Sequence, residues 1–592
     1  MAQNRISLAQ ARGNFLTWCV TGYMPLAELC RPLYIAQMTD EGTAEIGEFY
    51  IIYSVQESRE LFGAGSVMSL MAEQHFNTCP ELPLYCAPLA DPSQGKGVSA
   101  AAIAAPGTGY VVNDIVTLPD GVQLKVDSVT AGAIATTSIS KAGHIAEGAP
   151  DPTNPVAQVS STGIGTGATF NLTWGAAGGV AATYTVTFGG PCTNSGVLAW
   201  SIIDKIFNIG VIIGTTSDII ATDYAAALNA DIDLPFTAEA AGSVVTLTAK
   251  NAGIQSNWFV PVWNPQFGDE IPEGITVTEA EGDEGAGVIE YTTAIPAMNC
   301  PWDCICLGTE EEIAIEAFIQ LVRQNWRCGV QGNFKGGHLF HSKTASAGTI
   351  AAYGRDRNNP EEVVVPVRTG YKYPGYVLAA ATTSRVCCTA CYDPSRPVQY
   401  DNGFLGFLYD ARQCSTIWTS AEKRAFYDAG IMNWDVANSR GLRNTQLWIE
   451  EPLTTYKYDP NTGAPDGAWQ RVESRYTTVK FVRDLGNWYR HNYASVSLMN
   501  DGTRIPQGKR AVTPRILQAS IIAWMRGTQF GWTAEPTSET LEKMVRVERT
   551  NTFNNCDPNR VNVMIDLDLV NQLARIATSI DVAPEFSCIP PV

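Results

Sequence analysis

Histidine is scarce in this chain of 592 residues: there are five, His75, His144, His338, His341 and His491. So few imidazoles leave little room for acid–base or metal chemistry built on them. His338 and His341 stand three apart in a Gly-rich stretch with no acidic partner nearby in sequence, and they read as loop histidines rather than zinc ligands. No Gly-x-Ser-x-Gly elbow and no Walker loop is present. Leu61-Phe-Gly63-Ala-Gly65-Ser66 has the glycines of a phosphate loop, but no lysine follows and the run lies inside a helical pattern. It reads as a close-packed turn or helix kink. The expectation is a protein that is not an enzyme and takes no cofactor or metal.

Charge is also sparse, at 17% of residues, and basic charge is the weaker sign: 40 Lys and Arg stand against 59 Asp and Glu, for a net charge of -19. An acidic chain repels phosphate backbones, so nucleic acid is a poor partner. Long apolar runs are missing. The best, Ala199 to Gly214, carries Asp204 and Lys205 and falls short of the ~20 residues a membrane span requires. Met1 to Phe15 has no apolar h-region. These features lead us to expect a protein made and assembled in a cytoplasm, without membrane insertion.

What is abundant is core-forming material, 45% hydrophobic, with Gly, Ala, Thr and Pro filling much of the rest. The length suits roughly three to five domains. Residues 1–30 read as a polar arm. In residues 31–96, Leu33 to Met38, Glu48 to Tyr53 and Leu82 to Leu89 read as strands. Ser58 to His75 reads as one helix with Leu61, Met68 and Met71 on its apolar face. Composition shifts at about Gly95, and residues 97–176 read as an inserted β-rich domain. There Val122 to Val126 alternates after the turn signal Pro119-Asp120-Gly121, and similar segments surround Gly107–Tyr110 and Gly165–Ala168.

Residues 177–287 read as a second β-rich domain. Thr183 to Phe188 and Val244 to Thr248 alternate, Asp223 to Asp231 is helical, and the acidic run Glu279 to Gly285 reads as a solvated linker. Residues 288–582 return to an α/β pattern. It includes a strand at Cys304 to Leu307, a helix at Glu310 to Trp326 capped by Thr309, helices at Thr513 to Gly527 and Asp568 to Ser579, and a strand at Arg560 to Ile565. Residues 583–592 hold three prolines and read as an extended C-terminal arm. The fold class is α+β multidomain: an α/β core with inserted β-rich domains and extended terminal arms.

Cysteine is unusually frequent, with 15 residues. Two clusters stand out, Cys300, Cys304 and Cys306, and Cys387, Cys388 and Cys391. They admit a zinc site spanning both clusters, a redox-active Cys388–Cys391 pair, or buried thiols and structural disulfides. The odd count leaves at least one thiol free or bonded to another chain.

Three stretches carry a family resemblance. The first is Leu61 to Met68 followed by Leu82 to Leu89. The second runs from Asp393-Pro-Ser-Arg-Pro397 through Thr419 to Arg424, Gly430-Ile431, Thr454-Thr455-Tyr456 and Asp466 to Tyr476-Thr-Thr478. The third is Thr513-Pro-Arg515, then Asp557-Pro-Asn559-Arg560 and Leu569 to Leu573. Over roughly residues 30–95 and 180–582 the chain resembles the tail sheath proteins of Mu-like contractile phages. The stretch at 97–176 is similar to β-rich modules grafted onto many phage tail proteins.

The motif residues also have plain physical readings. Thr454, Thr455 and Tyr456 favour a strand at the edge of a core. Arg560 follows a turn and has Glu548 as a candidate partner, within the molecule or across an interface.

The resemblance implies a structural subunit of a virion tail. Hexameric rings would stack helically around a tail tube through heterologous contacts, with the sheath core facing the tube and the β-rich domains outward. Terminal arms would add strands to neighbouring subunits, and rigid-body contraction would drive the tube through the host envelope for genome ejection. The implied partners are other sheath subunits, the tail tube protein, and baseplate and tail terminator proteins. Cys19, Cys588 and Cys30, on or beside the arms, become candidate intersubunit disulfide residues. A secreted or cell-surface hydrolase with β-rich accessory domains stays open as an alternative, as does another tail protein, tube or fibre.

Overall fold

The computed structural model describes residues 30–92, 95–143, 145, 150–177, 179–203, 205–266, 268–300, 302–326, 336–399, 404–410, 418–437, 444–527, 538–549, 559–566 and 569. Both expected arms, the expected helix Asp568 to Ser579, and His144, Cys19, Cys588 and Asp557 lie outside the described residues, apart from Cys30 at the end of the first arm and Leu569 within that helix. Helices and several separate sheets are mixed along the chain.

The first segment gives strands β1 (Pro32–Gln37) and β2 (Tyr50–Ile52), helices α1 (Val55–Phe62) and α2 (Val67–Thr78), and strand β3 (Leu84–Leu89). The single helix expected at Ser58 to His75 is thus two. The chain turns at Gly63 and Gly65, whose φ values of 81° and 77° lie in the left-handed region that glycine tolerates. Ser54 and Ser66 cap the two helices, accepting from Glu57 N at 3.2 Å and Ser69 N at 3.1 Å.

Residues 95–177 contribute β4 (Gly95–Thr108), β5 (Ile115–Thr117), β6 (Val122–Thr130), β7 (Ala133–Ala142), β8 (Val156–Ala157), β9 (Ser160–Ser161) and β10 (Thr166–Ala177). They form sheets of order β4-β10-β8 and β7-β6-β5-β9 around a core that includes Tyr110, Val116, Leu124 and Phe170. The two similar segments seen in the sequence lie side by side. Thr108 pairs with Thr166, and the Tyr110 ring occupies the space a side chain at Gly165 would need.

Next come β11 (Thr183–Gly189), β12 (Gly196–Ile202), β13 (Lys205–Val211), α3 (Ser217–Asn229), β14 (Phe236–Ala241), β15 (Val244–Ala249), β16 (Val262–Trp263) and β17 (Thr276–Glu281). Sheets of order β14-β15-β11-β17 and β13-β12-β16 pack with α3 around Trp200 and Tyr224, whose ring centroids lie 4.5 Å apart. The acidic run is therefore no linker at its start. Thr276 to Glu281 is an edge strand paired with β11, and Glu279 accepts a hydrogen bond from Tyr184 OH at 2.8 Å. An edge strand with a wet face accommodates charge that a central strand would not.

The remainder gives β18 (Cys304–Leu307), α4 (Glu312–Trp326), β19 (His338–Thr344), α5 (Ala347–Arg355), β20 (Glu362–Val367), α6 (Gly375–Tyr392), β21 (Phe404–Asp410), α7 (Ser420–Ala429), β22 (Asn433–Ala437), β23 (Asn444–Glu451) and α8 (Val472–Tyr493). After a short pair, β24 (Ser497–Leu498) and β25 (Ala511–Val512), come α9 (Pro514–Gly527), α10 (Ser538–Met544), β26 (Val545–Glu548) and β27 (Asn562–Ile565). Among the described residues no helix is long and apolar enough to cross a membrane.

A six-stranded sheet of order β2-β3-β1-β18-β19-β20 joins the beginning of the chain to its middle. Apart from β2 its pairings are parallel, and β1, β18 and β20 are buried along their whole length. Such strands need cover on both faces. Tyr34, Ala36, Cys304 and Cys306 point to the face covered by α2 and α6, while Leu33, Ile35, Ile305 and Leu307 point to the face covered by α4. Strand alternation thus sends both strand cysteines of the first cluster towards α6, which carries the second cluster.

Candidate functional site

The motif Thr454-Thr455-Tyr456 is buried but is not a strand; it is an irregular segment pinned by its own hydroxyls. Thr454 Oγ1 donates to Trp469 O at 2.7 Å. Thr455 N donates to Glu362 O at 3.0 Å, and its Oγ1 lies 3.1 Å from Glu362 Oε2. Threonine hydroxyls compete with ladder hydrogen bonds, which is why β propensity misleads here. Tyr456 OH donates to Asp466 Oδ2 at 2.7 Å, so the structure brings the motif's aspartate onto its tyrosine. Tyr456→Phe should lower unfolding free energy by about 1–3 kcal/mol, because the Asp466 oxygen loses its donor. Urea unfolding checks this, and an unchanged midpoint would show the bond to be dispensable.

Thr455 borders a buried ionic hub. Glu362 opens β20 with no solvent exposure. Its Oε1 lies 3.0 Å from His341 Nε2 and 3.2 Å from Arg357 Nη1, and its Oε2 accepts from Asn359 Nδ2 at 3.0 Å. Burial alone would raise the Glu362 pKa, but the hydrogen bond and charge of His341, with Arg357, outweigh it and hold the carboxyl below its ordinary value. Nearby, Glu361 Oε1 lies 3.5 Å from Arg475 Nη1 and its Oε2 lies 3.6 Å from Arg323 Nη2. Next to the motif, Lys457 Nζ reaches the Gly354, Arg357 and Ala429 carbonyls that end α5 and α7, and burial lowers its pKa to about 8.

His338 and His341 are accordingly strand residues, not loop residues, and His341 does have an acidic partner. Their odd spacing on β19 turns them to opposite faces, so they cannot share a zinc ion. His338 packs on Tyr476 with centroids 4.8 Å apart, and burial, then the Arg475 charge, keeps its pKa well below the usual range. The carboxylate of Glu362 is filled by protein donors and sealed from solvent, an arrangement that fixes a fold rather than receives a substrate.

The cysteine clusters are rearranged by the fold. Cys304 and Cys306 face α6, whereas Cys300 packs against the core of the opposite face. Cys387 neighbours Cys30 and Cys304, Cys391 neighbours Cys30, and Cys388 neighbours Cys79. Cys304 Sγ also lies 2.9 Å from Tyr476 OH. Cys388 and Cys391 thus have separate partners. The described cysteines are all free thiols, and no group of three or more candidate ligands among the described residues is arranged to hold a metal ion. Hydrogen bonds from Cys387 and then Cys391 bring the Cys30 pKa down to about 7, whereas burial pushes Cys306 up to about 12.

Asn559 sits in a turn, and Arg560 Nε donates to Asn562 Oδ1 at 2.9 Å. Asn562 pairs with Glu548 across β26 and β27, so the strand begins two residues later than expected. The Glu362 hub and Cys79 were not singled out from sequence. The available signal was Glu361-Glu362 set directly before the apolar run Val363 to Val365, since acids entering a buried strand need partners.

No family model matches the chain. The Mu-like prophage FluMu tail sheath protein of Haemophilus influenzae is 26% identical over 407 residues, covering 68% of this chain and 79% of that protein. The chain is homologous to it, in agreement with the resemblance read from the motifs. Two solved sheath tail proteins are more distantly similar. That of Desulfitobacterium hafniense has a TM-score of 0.39 at 11% identity, covering 90% of this chain and 93% of its own. That of Listeria innocua has a TM-score of 0.37 at 9% identity, covering 88% and 89%.

Proposed function

We propose that this chain is a structural subunit of a contractile phage tail sheath and not an enzyme. The observation that carries the reading is the homology to the Mu-like tail sheath protein over 407 residues. Subunits would form hexameric rings stacked around a tail tube, meeting baseplate and tail terminator proteins at the ends of the virion tail. Contraction would drive the tube through the host envelope. Ring-to-ring contacts of this kind are heterologous and grow without closing. The sheet that joins residues 32–89 to residues 304–367 supports a continuous core from which residues 97–176 and 177–287 project as outward modules. The arms at 1–30 and 583–592 would add strands to neighbours.

Negative-stain microscopy of the purified protein is expected to show hollow cylinders or striated polysheaths. Monodisperse monomers at high concentration would overturn the proposal. Deleting residues 1–25 or 583–592 is expected to leave folded monomers or isolated rings. Long cylinders of normal stability from either truncation would remove the arms from the mechanism.

A further inference from the structure

Helical geometry sorts the three cysteines of α6. Cys387 and Cys391 are one turn apart on the same side, and Cys388 lies about 100° round the axis. The first two meet Cys30, just before β1; the third meets Cys79, the residue that ends α2. Each meeting point is held in place by neighbours. Arg31 N donates to Asp303 Oδ2 at 2.9 Å and Asp303 N to Arg31 O at 3.1 Å, which fixes the chain beside Cys30. Arg385 Nη2 donates to Thr78 O at 3.1 Å and Tyr392 OH donates to Glu81, on either side of the contact between Cys79 and Cys388.

Access separates the competing partners of Cys30. Cys30 and Cys391 are half-buried, whereas Cys387 and Cys304 have no exposure. Cys388 retains a small exposed fraction, with Cys79 behind it. A reagent in solution therefore meets one thiol of each pair and finds the second thiol within reach of it.

We propose that Cys30 with Cys391, and independently Cys79 with Cys388, are dithiol sites that close into two intrachain disulfides on contact with a low-molecular-weight disulfide. The thiolate of the accessible cysteine attacks one sulfur of the reagent, forming a mixed disulfide and expelling one reagent thiolate. The second protein thiol loses its proton and attacks the cysteine sulfur of that mixed disulfide. The second reagent thiolate leaves. Two protein thiols and one reagent disulfide become one protein disulfide and two reagent thiols, the protons passing to the expelled thiolates. The depressed pKa of Cys30 favours its thiolate as the first nucleophile. The two bonds would fasten the last turns of α6 to the start of β1 and the end of α2, closing very long loops, where a crosslink restrains the unfolded chain most.

The test uses the full chain, reduced, desalted and then incubated without denaturant in excess oxidised glutathione. Remaining thiols are alkylated, and digested protein is mapped by mass spectrometry with fragmentation. Crosslinked peptides joining Cys30 to Cys391 and Cys79 to Cys388 are expected, together with a higher midpoint of thermal unfolding that dithiothreitol reverses. Cys391→Ser should remove the first crosslink and keep the second, and Cys388→Ser the reverse. Recovery of all four residues as alkylated thiols or glutathione adducts overturns the proposal, as does bonding of these residues to other cysteines or other chains. One crosslink without the other overturns the missing half. The mapping of unmutated protein decides the matter even where a serine variant fails to fold.

Discussion

Replacing Glu362 by alanine is expected to lower the unfolding free energy by about 3–5 kcal/mol, the range for removing one partner of a buried ion pair. The loss does not measure the attraction alone. It arises because His341, fully buried, and Arg357, with a side-chain exposure of 15%, keep their need for an acceptor after the carboxylate is gone. Glu362→Gln retains size and one acceptor, and should lose about 1–3 kcal/mol. Urea unfolding at neutral pH separates the two. An alanine variant within experimental error of the unmutated protein would show that solvent reaches the site.

The sign of the pH dependence follows from the depressed Glu362 pKa. Its contribution is present above the ordinary carboxylate pKa of 4.5 and is lost as pH falls through the lower folded value. Two histidines act earlier. Burial lowers His75 to about 4 and His338 well below 6.5, so the unfolded chain takes up their protons first and stability starts to fall as pH drops below about 6.5. Glu362→Gln should therefore flatten the acid limb only in its lower part.

Individual elements of this fold were readable because they rest on repeated local signals. Alternation marked β6, β11 and β15, an apolar run marked β18, and the acidic run after Thr309 marked α4, which starts at Glu312 rather than Glu310, so Thr309 Oγ1 accepts from Glu311 N at 3.2 Å ahead of the helix instead of capping it. What was not readable depended on contacts between distant residues. Thr454-Thr455-Tyr456 has strand-forming residues, yet its hydroxyls are used by Trp469, Glu362 and Asp466. No window of local sequence contains both Thr455 and Glu362. The cysteines show the same limit. Cys388 and Cys391 looked like a pair because they are close in sequence, but each meets a different distant partner, Cys79 after α2 and Cys30 before β1. His338 and His341 looked like loop residues because of the glycines before them, whereas the parallel sheet takes them in as β19.

Gly65→Ala is the other substitution with a large expected effect, a loss of about 2–5 kcal/mol from left-handed backbone strain and overpacking together. The glycine run that resembled a phosphate loop is the seat on which the unit containing β11 to β17 rests. Gly65 has φ of 77°, and a Cβ there would lie 2.3 Å from Leu234 O, a backbone atom that cannot rotate away. The seat is fastened on all sides. Lys250 Nζ donates to Ala64 O at 2.9 Å, Val67 N donates to Asn251 Oδ1 at 3.0 Å, and Arg59 Nη2 meets Asp233 Oδ2 at 2.6 Å. Asn251 Nδ2 continues to Asp91 Oδ1 at 2.8 Å, which also accepts from Gln37 Nε2 at 2.6 Å, tying the contact into β1 and the end of β3. A displaced Leu234 would open these bonds together, because they share a few residues. Hydrogen exchange is expected to speed up at residues 64–67 and 232–252, with a lower urea midpoint. Gly348→Ala is the control: it lies in α5 with open space around it, and alanine there should be neutral or stabilise by about 0.5–1 kcal/mol. Equal behaviour of the two variants would mean that the contact at Gly65 yields without loss, and that the two units are held together elsewhere.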